Sequence, residues 1–412
     1  MKFKALKEAV RYAGRSSRPP LWLLVLITLS GTMAMHIFIP ALPVAGEALS
    51  ASSASMQLTI TLYVVGLALG QLIYGPLSDA VGRRPALLLG LGVYFFASIL
   101  ALLATTVQWL VMARLLQALG GAAGLTLGRA IVRDVANPSR VTKDMALLNL
   151  LTLLGPGLAP IVGSYLADHF GWRSIYVFLV LLGCAMLLST YRLLGETHPE
   201  RSTLQMRSVL GDYVQLLANE RFATLLLGGS CISAALYPYL ASAPYIINVQ
   251  MGLPISTIGW FAASTIVGAS VGTYFTRRLS DRWNDEKFLV LGAGLSLSMA
   301  GILLILHFGG WLTPLGLLIV TVVMTLGAGM AGPASMSSAL SVMPGLTGSA
   351  AGLYGFGQMG MGALGTFAVG FYAADPVIAC GVTQICVTGA AYWSFHRVLE
   401  RSRIPKAPRR SS

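Results

Sequence analysis

One short charged segment decides the architecture of this chain: Gly75-Pro76-Leu77-Ser78-Asp79-Ala80-Val81-Gly82-Arg83-Arg84-Pro85. It lies between two long apolar runs and is too short to be anything but a tight hairpin between two helices. Its centre, residues 77–79, has the sequence Leu-Ser-Asp, which recurs at residues 279–281, again between two apolar runs. The two copies are about 200 residues apart, close to half the chain length. A charged hairpin repeated at half-length predicts a membrane protein built from two related halves, a construction typical of secondary transporters.

The composition of the whole chain supports a membrane location. Hydrophobic residues make up 55% of the 412 residues and charged residues only 10%, and the mean hydropathy is +0.73. Soluble globular domains carry far more charge. A helix that crosses a bilayer needs about 20 apolar residues. Twelve runs of that kind, numbered here as spans 1 to 12, lie at about 21–43, 56–77, 86–105, 108–132, 145–167, 174–194, 222–246, 255–276, 288–308, 311–333, 346–372 and 376–396.

The distribution of positive charge predicts the orientation of the chain. The net charge is +13, and every Lys and Arg except Arg114 and Arg173 lies on one side of an even-numbered bundle. Because Lys and Arg are retained on the cytoplasmic side during insertion, both termini are expected in the cytoplasm. We therefore interpret the basic ends as orientation signals beside anionic lipid and not as a surface for nucleic acid.

The longest polar connection divides the chain near its middle. It separates two sets of six spans that are almost equal in length, and a short surface helix is predicted within it near 204–218. The predicted organisation is a basic cytoplasmic N-terminus at 1–20, a first six-helix bundle at 21–194, a cytoplasmic linker at 195–221, a second six-helix bundle at 222–396 and a basic cytoplasmic tail at 397–412.

No pattern in the sequence indicates catalysis or a bound cofactor. Metal-ligand spacing of His, Asp and Glu, a Gly-x-Ser-x-Gly nucleophile elbow and a phosphate-binding loop are all missing from it. The cysteines lie within spans and are interpreted as small apolar side chains. The sequence therefore predicts no enzyme, no ATP-driven pump, no metal and no cofactor. The cysteines are Cys184, Cys231, Cys380 and Cys386.

Two segments resemble signature motifs of the major facilitator superfamily. The hairpin at 75–85 is similar to the superfamily motif between helices 2 and 3, in which Gly, Asp, Gly and Arg recur at this spacing. In span 4, residues 114–124 resemble a second motif, an Arg and a Gln followed by small residues. The resemblance implies an all-α integral membrane fold, in which twelve transmembrane helices form two six-helix bundles related by a pseudo-two-fold axis.

Further segments narrow the resemblance to the bicyclomycin/chloramphenicol-resistance branch of drug:proton antiporters. In span 5, Gly155, Pro156, Pro160 and Gly163 resemble the Gly-Pro motif of antiporters, although a kinked helix alone would give a similar pattern. The resemblance implies a multi-pass protein of the bacterial cytoplasmic (inner) membrane whose partners are a small-molecule substrate, protons and lipid. The other segments that look like this branch are 39–43, 57–59, 171–173 and 348–352.

The resemblance also implies a gate at the charged hairpin. In the superfamily, such a cluster bridges the two halves on the cytoplasmic side and holds the outward-facing state, and we carry this role to Asp79, Arg83 and Asp134. Asp79 and Arg83 are four residues apart and can pair along one helix face. Gly75 and Gly82 allow a close approach and a turn. The alternative is that these residues only fix the topology and cap helix ends.

Arg114 is the most informative single residue. An arginine at the middle of an apolar helix costs about 2.5–3.5 kcal/mol on insertion scales and persists mainly where it faces a protein or aqueous interior. Gln117, one turn further on, points the same way. We interpret Arg114 as a cavity-lining cation linked to proton movement or to substrate, with a buried structural donor as the alternative.

Span 1 departs from the drug-antiporter pattern at His36. Exporters of this branch commonly carry an Asp four residues before the first Pro of the Pro-Ala-Leu-Pro stretch, and here that position is His36. No Asp or Glu lies deep in any predicted span, since Glu47, Asp168 and Asp375 lie toward the outer ends. Imidazole titrates near neutral pH, so His36 is a candidate proton carrier. A neutral, hydrogen-bonding histidine is the alternative.

The remaining candidates for substrate binding are aromatic, amide and hydroxyl side chains. A cavity with one cation, several such groups and apolar walls suits uncharged or weakly acidic amphipathic molecules better than dications. Each aromatic has packing as its alternative role. With His36 and Arg114, the predicted substrate-binding residues are Gln117, Asn149, Thr152, Tyr237, Tyr239, Phe261, Tyr354 and Gln358.

Two function classes follow from these observations. The first is export of small amphipathic drug-like compounds from the cytoplasm by alternating access, in exchange for protons. The second is a proton-independent facilitator, or an uptake transporter for a small metabolite, on the same fold. In either case we expect the chain to act as a monomer in the bilayer.

Overall fold

The structure is a computed structural model and describes residues 19–135, 141–197, 206–279, 282–343, 346–371 and 375–403. Within these ranges the regular secondary structure is entirely helical. The elements in chain order are α1 (Leu21–Phe38), a 3-10 turn (Ile39–Ala41), α2 (Leu42–Ala48), α3 (Ser53–Val81), α4 (Arg83–Leu102), α5 (Val107–Val135), α6 (Val141–Phe170), α7 (Arg173–Leu193), α8 (Met206–Ala218), α9 (Glu220–Ala234), α10 (Leu236–Pro244), a π-helix (Tyr245–Gln250), α11 (Ile255–Leu279), α12 (Asp285–Phe308), α13 (Pro314–Leu340), α14 (Thr347–Phe371) and α15 (Pro376–Arg403).

These helices agree with the predicted membrane spans. Ten helical segments among the described residues are long and apolar enough to cross a bilayer. They correspond to spans 1–4, 6–10 and 12. α6 and α14 occupy the positions of spans 5 and 11, and some of their side chains lie outside the described set. The all-α membrane fold predicted from the sequence is confirmed.

Several boundaries differ from the sequence prediction. α15 continues to Arg403, beyond the predicted end at 396, and α3 continues through the charged segment to Val81. Span 7 is divided into α9, α10 and the π-helix. Pro238 and Pro244 have no backbone N–H to donate, which explains the interruptions. The buried amide of Gln384 donates to the carbonyl oxygen of Ala235 at the first interruption, at 3.2 Å. The surface helix predicted near 204–218 is confirmed as α8.

The described chain forms two compact units. The N-terminal unit contains residues 1–51 and 62–206, and the C-terminal unit contains residues 52–61 and 207–412. The division along the chain falls within the predicted linker. Of the repeated Leu-Ser-Asp motif in the second half, Leu279 ends α11, while Ser280 and Asp281 lie outside the described residues.

Small residues allow close helix packing in the N-terminal unit. α5 packs against α1 and α4, and α6 packs against α1. A Cβ atom at Gly120 would clash with the backbone of Tyr94, and one at Gly124 would clash with the carbonyl oxygen of Ile27. The small residues of span 4 therefore allow α5 to pack closely against its neighbours. These contacts bring α1, α4 and α5 together around Arg114.

Candidate functional site

Arg114 lies on α5 in the interior of the N-terminal unit and is completely buried. Its guanidinium carbon is 4.0 Å from the ring centre of Tyr63 and 5.3 Å from that of Phe38. It forms no salt bridge with any described residue. A buried cation without a carboxylate partner depends on ring faces and hydrogen-bond acceptors for its stabilisation.

Two hydrogen bonds fix one end of the guanidinium. Nη1 of Arg114 donates to the carbonyl oxygen of Ala34 at 2.8 Å and to Oε1 of Gln117 at 2.8 Å. Nε2 of Gln117 in turn donates to Oγ of Ser98 at 2.8 Å. Gln117 is buried and engaged at both ends of its amide, so its position assigns it to holding Arg114 in place. The sequence predicted that the two side chains lie together, and this is confirmed.

The other end of the guanidinium carries unused donors. Nε and Nη2 of Arg114 are buried and have no hydrogen-bond acceptor among the described residues. The hydroxyl groups of Tyr94 and Tyr176, which lie within the electrostatic range of Arg114, are also buried and unpaired in this set. A buried polar group without a partner costs about 1–3 kcal/mol. Oxygen acceptors from a ligand or from a buried water would satisfy these donors.

His36 lies on α1 beside this group and is nearly buried. Its Nδ1 is 2.7 Å from the carbonyl oxygen of Thr32. Because a carbonyl oxygen only accepts, Nδ1 carries the hydrogen in the neutral ring, and Nε2 is the atom that can take a further proton. The charge of Arg114 acts on His36, so the two predicted coupling residues belong to one electrostatic group.

A second polar cluster surrounds Arg83 at the first turn of α4. Nη1 of Arg83 donates to Oδ1 of Asp79 at 2.6 Å and also to the hydroxyl of Ser78, and Nε donates to Oδ2 of Asp134 at 3.1 Å. Arg83 is buried, whereas Asp79 is about half exposed. The structure thus brings together Asp79, Arg83 and Asp134, the three charged residues that the sequence assigned to a gate.

Glu196 completes this cluster, and sequence reasoning missed it. Its Oε1 accepts from the backbone N–H of Arg83 at 2.8 Å, and its Oε2 from that of Arg84 at 3.4 Å. A carboxylate at this position satisfies N–H groups at the start of α4 and complements the helix dipole. The only available signal was an acidic residue directly after span 6.

The two hairpin glycines differ in role. Gly82 is the single residue between α3 and α4, with φ of +106°. A Cβ atom there would clash with the carboxylate of Glu196, so the turn requires glycine. Gly75 lies inside α3, and a Cβ atom there would meet no described atom within 4 Å. Gly75 therefore forms neither a turn nor a close approach to any described residue, and this part of the prediction is wrong.

The span 5 motif packs α6 against α1. A Cβ atom at Gly163 would clash with the carbonyl oxygen of Ile37, and one at Gly155 would clash with the side chain of Leu29. Pro160 is buried. α6 is continuous across this motif. The side chains of Pro156, Asn149 and Thr152, three residues predicted from the sequence, lie outside the described set.

The predicted residues of the C-terminal unit divide into packed and partly exposed groups. Tyr354 is completely buried in the core with Phe222, Phe288 and Phe395, and its hydroxyl donates to Oγ of Ser335 at 3.1 Å. Tyr239 is likewise completely buried, with Thr321 as the neighbour of its phenol. For both tyrosines, this burial agrees with the packing role that the sequence left as the alternative, and substrate contact stays a prediction.

Two other predicted residues of this unit remain partly exposed. Nε2 of Gln358 donates to Oγ of Ser233 at 2.8 Å, and the hydroxyl of Tyr237 donates to Sδ of Met359 at 3.3 Å. Phe261 on α11 is buried apart from a small fraction of its surface. Among the predicted residues of this unit, Gln358 and Tyr237 are therefore the most exposed.

A third polar cluster joins three helix ends of the C-terminal unit. Nε2 of His307 lies 2.9 Å from Oδ2 of Asp375, and Gln250 donates to Oδ1 at 3.4 Å. Oδ1 of Asp375 also accepts from the backbone N–H groups of Val377 and Ile378. Partial burial raises the pKa of this carboxyl, but the hydrogen bonds and His307 outweigh that effect, so its pKa lies below the usual value. Sequence reasoning did not pair these residues.

Comparison with known proteins gives consistent matches over most of the chain. The sequence profile of the Major Facilitator Superfamily matches residues 24–366. Multidrug resistance protein D of Escherichia coli strain K12 is 30% identical over 339 residues, which cover 81% of this chain and 84% of that protein. A chloramphenicol resistance protein of Pseudomonas aeruginosa is 27% identical over 347 residues, covering 83% and 81%. The solved structure of the peptide transporter POT in complex with sulfate has a TM-score of 0.76 at 16% identity and covers 95% and 97%, a likeness of fold.

Proposed function

The chain belongs to the major facilitator superfamily and is a multi-pass membrane transporter, not an enzyme, and from this premise we propose that it exports small amphipathic compounds from the cytoplasm in exchange for protons. Transport proceeds by alternating access between the two six-helix halves. The protein acts as a monomer in the bacterial inner membrane, with both termini in the cytoplasm. The observation that carries the proposal is the buried group of Arg114 and His36, which has unused donors and no carboxylate partner among the described side chains.

The hydrogen-bonding capacity of this group supports the substrate class. Nε and Nη2 of Arg114 offer donors without acceptors among the described residues. A substrate with carbonyl, nitro or hydroxyl oxygens would supply those acceptors, and the faces of Tyr63 and Phe38 provide an apolar surround. A dication would meet Arg114, and no carboxylate among the described side chains pairs with Arg114 to offset the repulsion. Relatives named for multidrug and chloramphenicol resistance favour the same class.

His36 supplies the proposed coupling to protons. A proton taken up at Nε2 would create an imidazolium within the field of the Arg114 guanidinium. Two buried like charges repel, so protonation changes the relative stability of conformations that hold these groups close together or apart. Substrate oxygens on Arg114 and a proton on His36 thus bias the transporter in opposite directions, as exchange requires.

The cluster around Arg83 is the proposed cytoplasmic gate. Arg83 connects Asp79 on α3 with Asp134 at the end of α5, and Glu196 holds the start of α4. Of the three charged side chains, Asp79 is the most exposed, at 47% of its side-chain surface. We assign Gly82 to the same gate, because it alone forms the turn.

Transport into inverted membrane vesicles tests this proposal. With an inside-acid pH gradient, vesicles carrying the protein should accumulate radiolabelled chloramphenicol, and nigericin, which collapses the gradient, should stop accumulation. Vesicles with Arg114→Gln protein at matched abundance are the control for diffusion through lipid. Accumulation that persists unchanged after collapse of the pH gradient would reject proton exchange and favour the facilitator or uptake alternative.

A further inference from the structure

α8 is a short helix whose exposed surface is unusually apolar. Its 13 residues extend about 20 Å, too little to cross a hydrocarbon core of about 30 Å. Even so, Leu210 is 55% exposed, Val214 is 67% exposed and Leu217 is 50% exposed. Exposed leucines on the long helices face lipid because those helices span the bilayer. That explanation does not apply to a helix of this length, so its apolar stripe needs another partner.

The helix places its residues on three distinct sides. At 100° per residue, positions 210, 214 and 217 fall within an arc of about 60° and form a single stripe. On the adjacent side, Leu216 is completely buried in the core of the C-terminal unit, and Tyr213 packs against that core. Gln215 lies opposite the stripe and is exposed. One continuous apolar arc therefore begins in the protein core and ends at the exposed stripe.

We propose that α8 lies along the cytoplasmic surface of the bilayer, with the Leu210–Val214–Leu217 stripe inserted at the boundary between headgroups and acyl chains. Only Asn219 separates α8 from the span that begins at Glu220, so the chain holds the C-terminal end of the helix near the membrane. Amphipathic helices of this kind bind by their buried apolar area.

The charges around α8 are balanced and do not identify the partner. The sequence places Arg201, Arg207 and Arg221 in or beside the helix, together with Glu200, Asp212 and Glu220, and Nη2 of Arg221 lies 4.0 Å from Oε1 of Glu286. The apolar stripe and the position of α8 next to a membrane span favour lipid, since apolar area alone binds such a helix to the bilayer boundary. The occupant of the stripe is therefore the lipid bilayer itself.

The same helix is tied to the start of α14. Oδ2 of Asp212 accepts a hydrogen bond from Oγ of Ser349 at 3.0 Å, and a Cβ atom at Gly352 would lie 3.6 Å from the hydroxyl of Tyr213. Residues 348–352 are one of the segments that resemble the drug-antiporter branch. In this arrangement they form the contact through which the position of α8 in the bilayer acts on α14.

Site-directed spin labelling of the full-length protein in lipid nanodiscs tests the placement. Single nitroxides are attached through p-acetylphenylalanine at position 210, 214 or 217, which leaves the native cysteines unchanged, and position 215 is the matched control on the same helix. Nanodiscs contain phosphatidylcholine and phosphatidylglycerol. Power saturation then compares collisions with oxygen, which concentrates in lipid, and with a water-soluble nickel chelate. The three stripe positions should show a several-fold higher ratio of oxygen to nickel accessibility than position 215.

Two outcomes would overturn the proposal. Nickel accessibility at the stripe equal to that at position 215 would place the stripe in water. Low accessibility to both reagents would show that protein, either a second copy or another segment of this chain, covers it. Neither accessibility measurement involves transport, so the experiment tests the placement of α8 independently of the proposed export activity.

Discussion

The backbone N–H of Arg83 donates a 2.8 Å hydrogen bond to Oε1 of Glu196, although 113 residues separate them in the chain. The second carboxylate oxygen accepts from the N–H of Arg84. The hairpin between α3 and α4 is therefore closed by the segment that follows α7, and Gly82 leaves the space through which the carboxylate approaches. The charged hairpin and the start of the linker form one structural element, with consequences for stability as well as for gating.

Gly82→Ala should destabilise the protein strongly. The φ of +106° is unfavourable for any residue with a Cβ atom, at a cost of about 1–3 kcal/mol, and the added atom would also displace Glu196. Gly75→Ala is the matched control, because it lies in a helix with open space and should raise stability by up to about 1 kcal/mol. Thermal unfolding in detergent measures both. Equal melting temperatures for the two variants would contradict the assigned turn geometry.

Asp79→Asn should reduce transport while the protein remains folded and inserted. Arg83 keeps its bond to Asp134 in this variant, so the buried guanidinium retains one carboxylate. The loss is confined to the half-exposed carboxylate proposed for the gate. Transport in vesicles and labelling of the cytoplasmic side should show lower turnover and a more cytoplasm-open protein. Asp168→Asn, at an exposed carboxylate without a charged partner among the described residues, is the control. Normal turnover of Asp79→Asn would leave only a topological role.

The sequence was sufficient for the fold because membrane insertion leaves few solutions. Apolar runs of spanning length, basic residues on one side and a repeated hairpin each constrain the helices locally, so their order and the pairing of Asp79 with Arg83 could be predicted. The Arg114–Gln117 contact was predictable for the same reason, since residues three apart share a helix face.

The rest depends on contacts between distant parts of the chain. Glu196 contacts Arg83, and Asp375 contacts His307, only when the helices are packed. No local sequence pattern predicts either pair. The burial of Tyr239 and Tyr354 is equally non-local, because an aromatic residue in an apolar helix looks the same whether it faces a core or a cavity. Within span 7, Pro238 and Pro244 are a local signal of interruption. One continuous helix was predicted there because the run is apolar throughout.

Asp375 should make the stability of the C-terminal unit sensitive to acid. Its pKa is lower in the folded protein than the unfolded value of about 3.9, so its ionised form stabilises the fold. That contribution is fully present above the unfolded value and is lost as the pH falls below it, through the lower folded pKa. Melting temperatures from pH 5 to pH 3 should fall more steeply for the wild type than for Asp375→Asn. Parallel curves for the two proteins would contradict the role of this carboxylate.

Arg114→Gln should lower export by roughly tenfold or more, equivalent to at least about 1.4 kcal/mol, without loss of insertion. Removal of the charge relieves the insertion cost of about 2.5–3.5 kcal/mol, so the amount of membrane protein should be maintained or increased. Arg114→Lys should restore only part of the activity, because an ammonium lacks the planar donor fork that engages Ala34, Gln117 and the Tyr63 ring. Arg173→Gln, at an arginine stacked on Trp172, is the control for general loss of an arginine. Wild-type export by Arg114→Gln would assign Arg114 to structure alone.

Variants at position 36 distinguish two roles of His36, that of a proton carrier and that of a neutral hydrogen-bonding residue. If Nε2 carries the proton, export by the wild type should depend on pH between roughly 5.5 and 7, and His36→Ala should remove that dependence. His36→Asp should retain coupling, because a carboxylate also carries a proton, and should extend acceptance toward monovalent cations through its charge. Drug uptake into inverted vesicles is measured across this pH range for the wild type and both variants, with chloramphenicol, a monovalent cation and a dication as substrates. A pH profile of His36→Ala that superimposes on the wild type would remove His36 from the coupling mechanism. Preferred export of the dication by the wild type would contradict the substrate class itself, since no described carboxylate lies beside Arg114 to bind it.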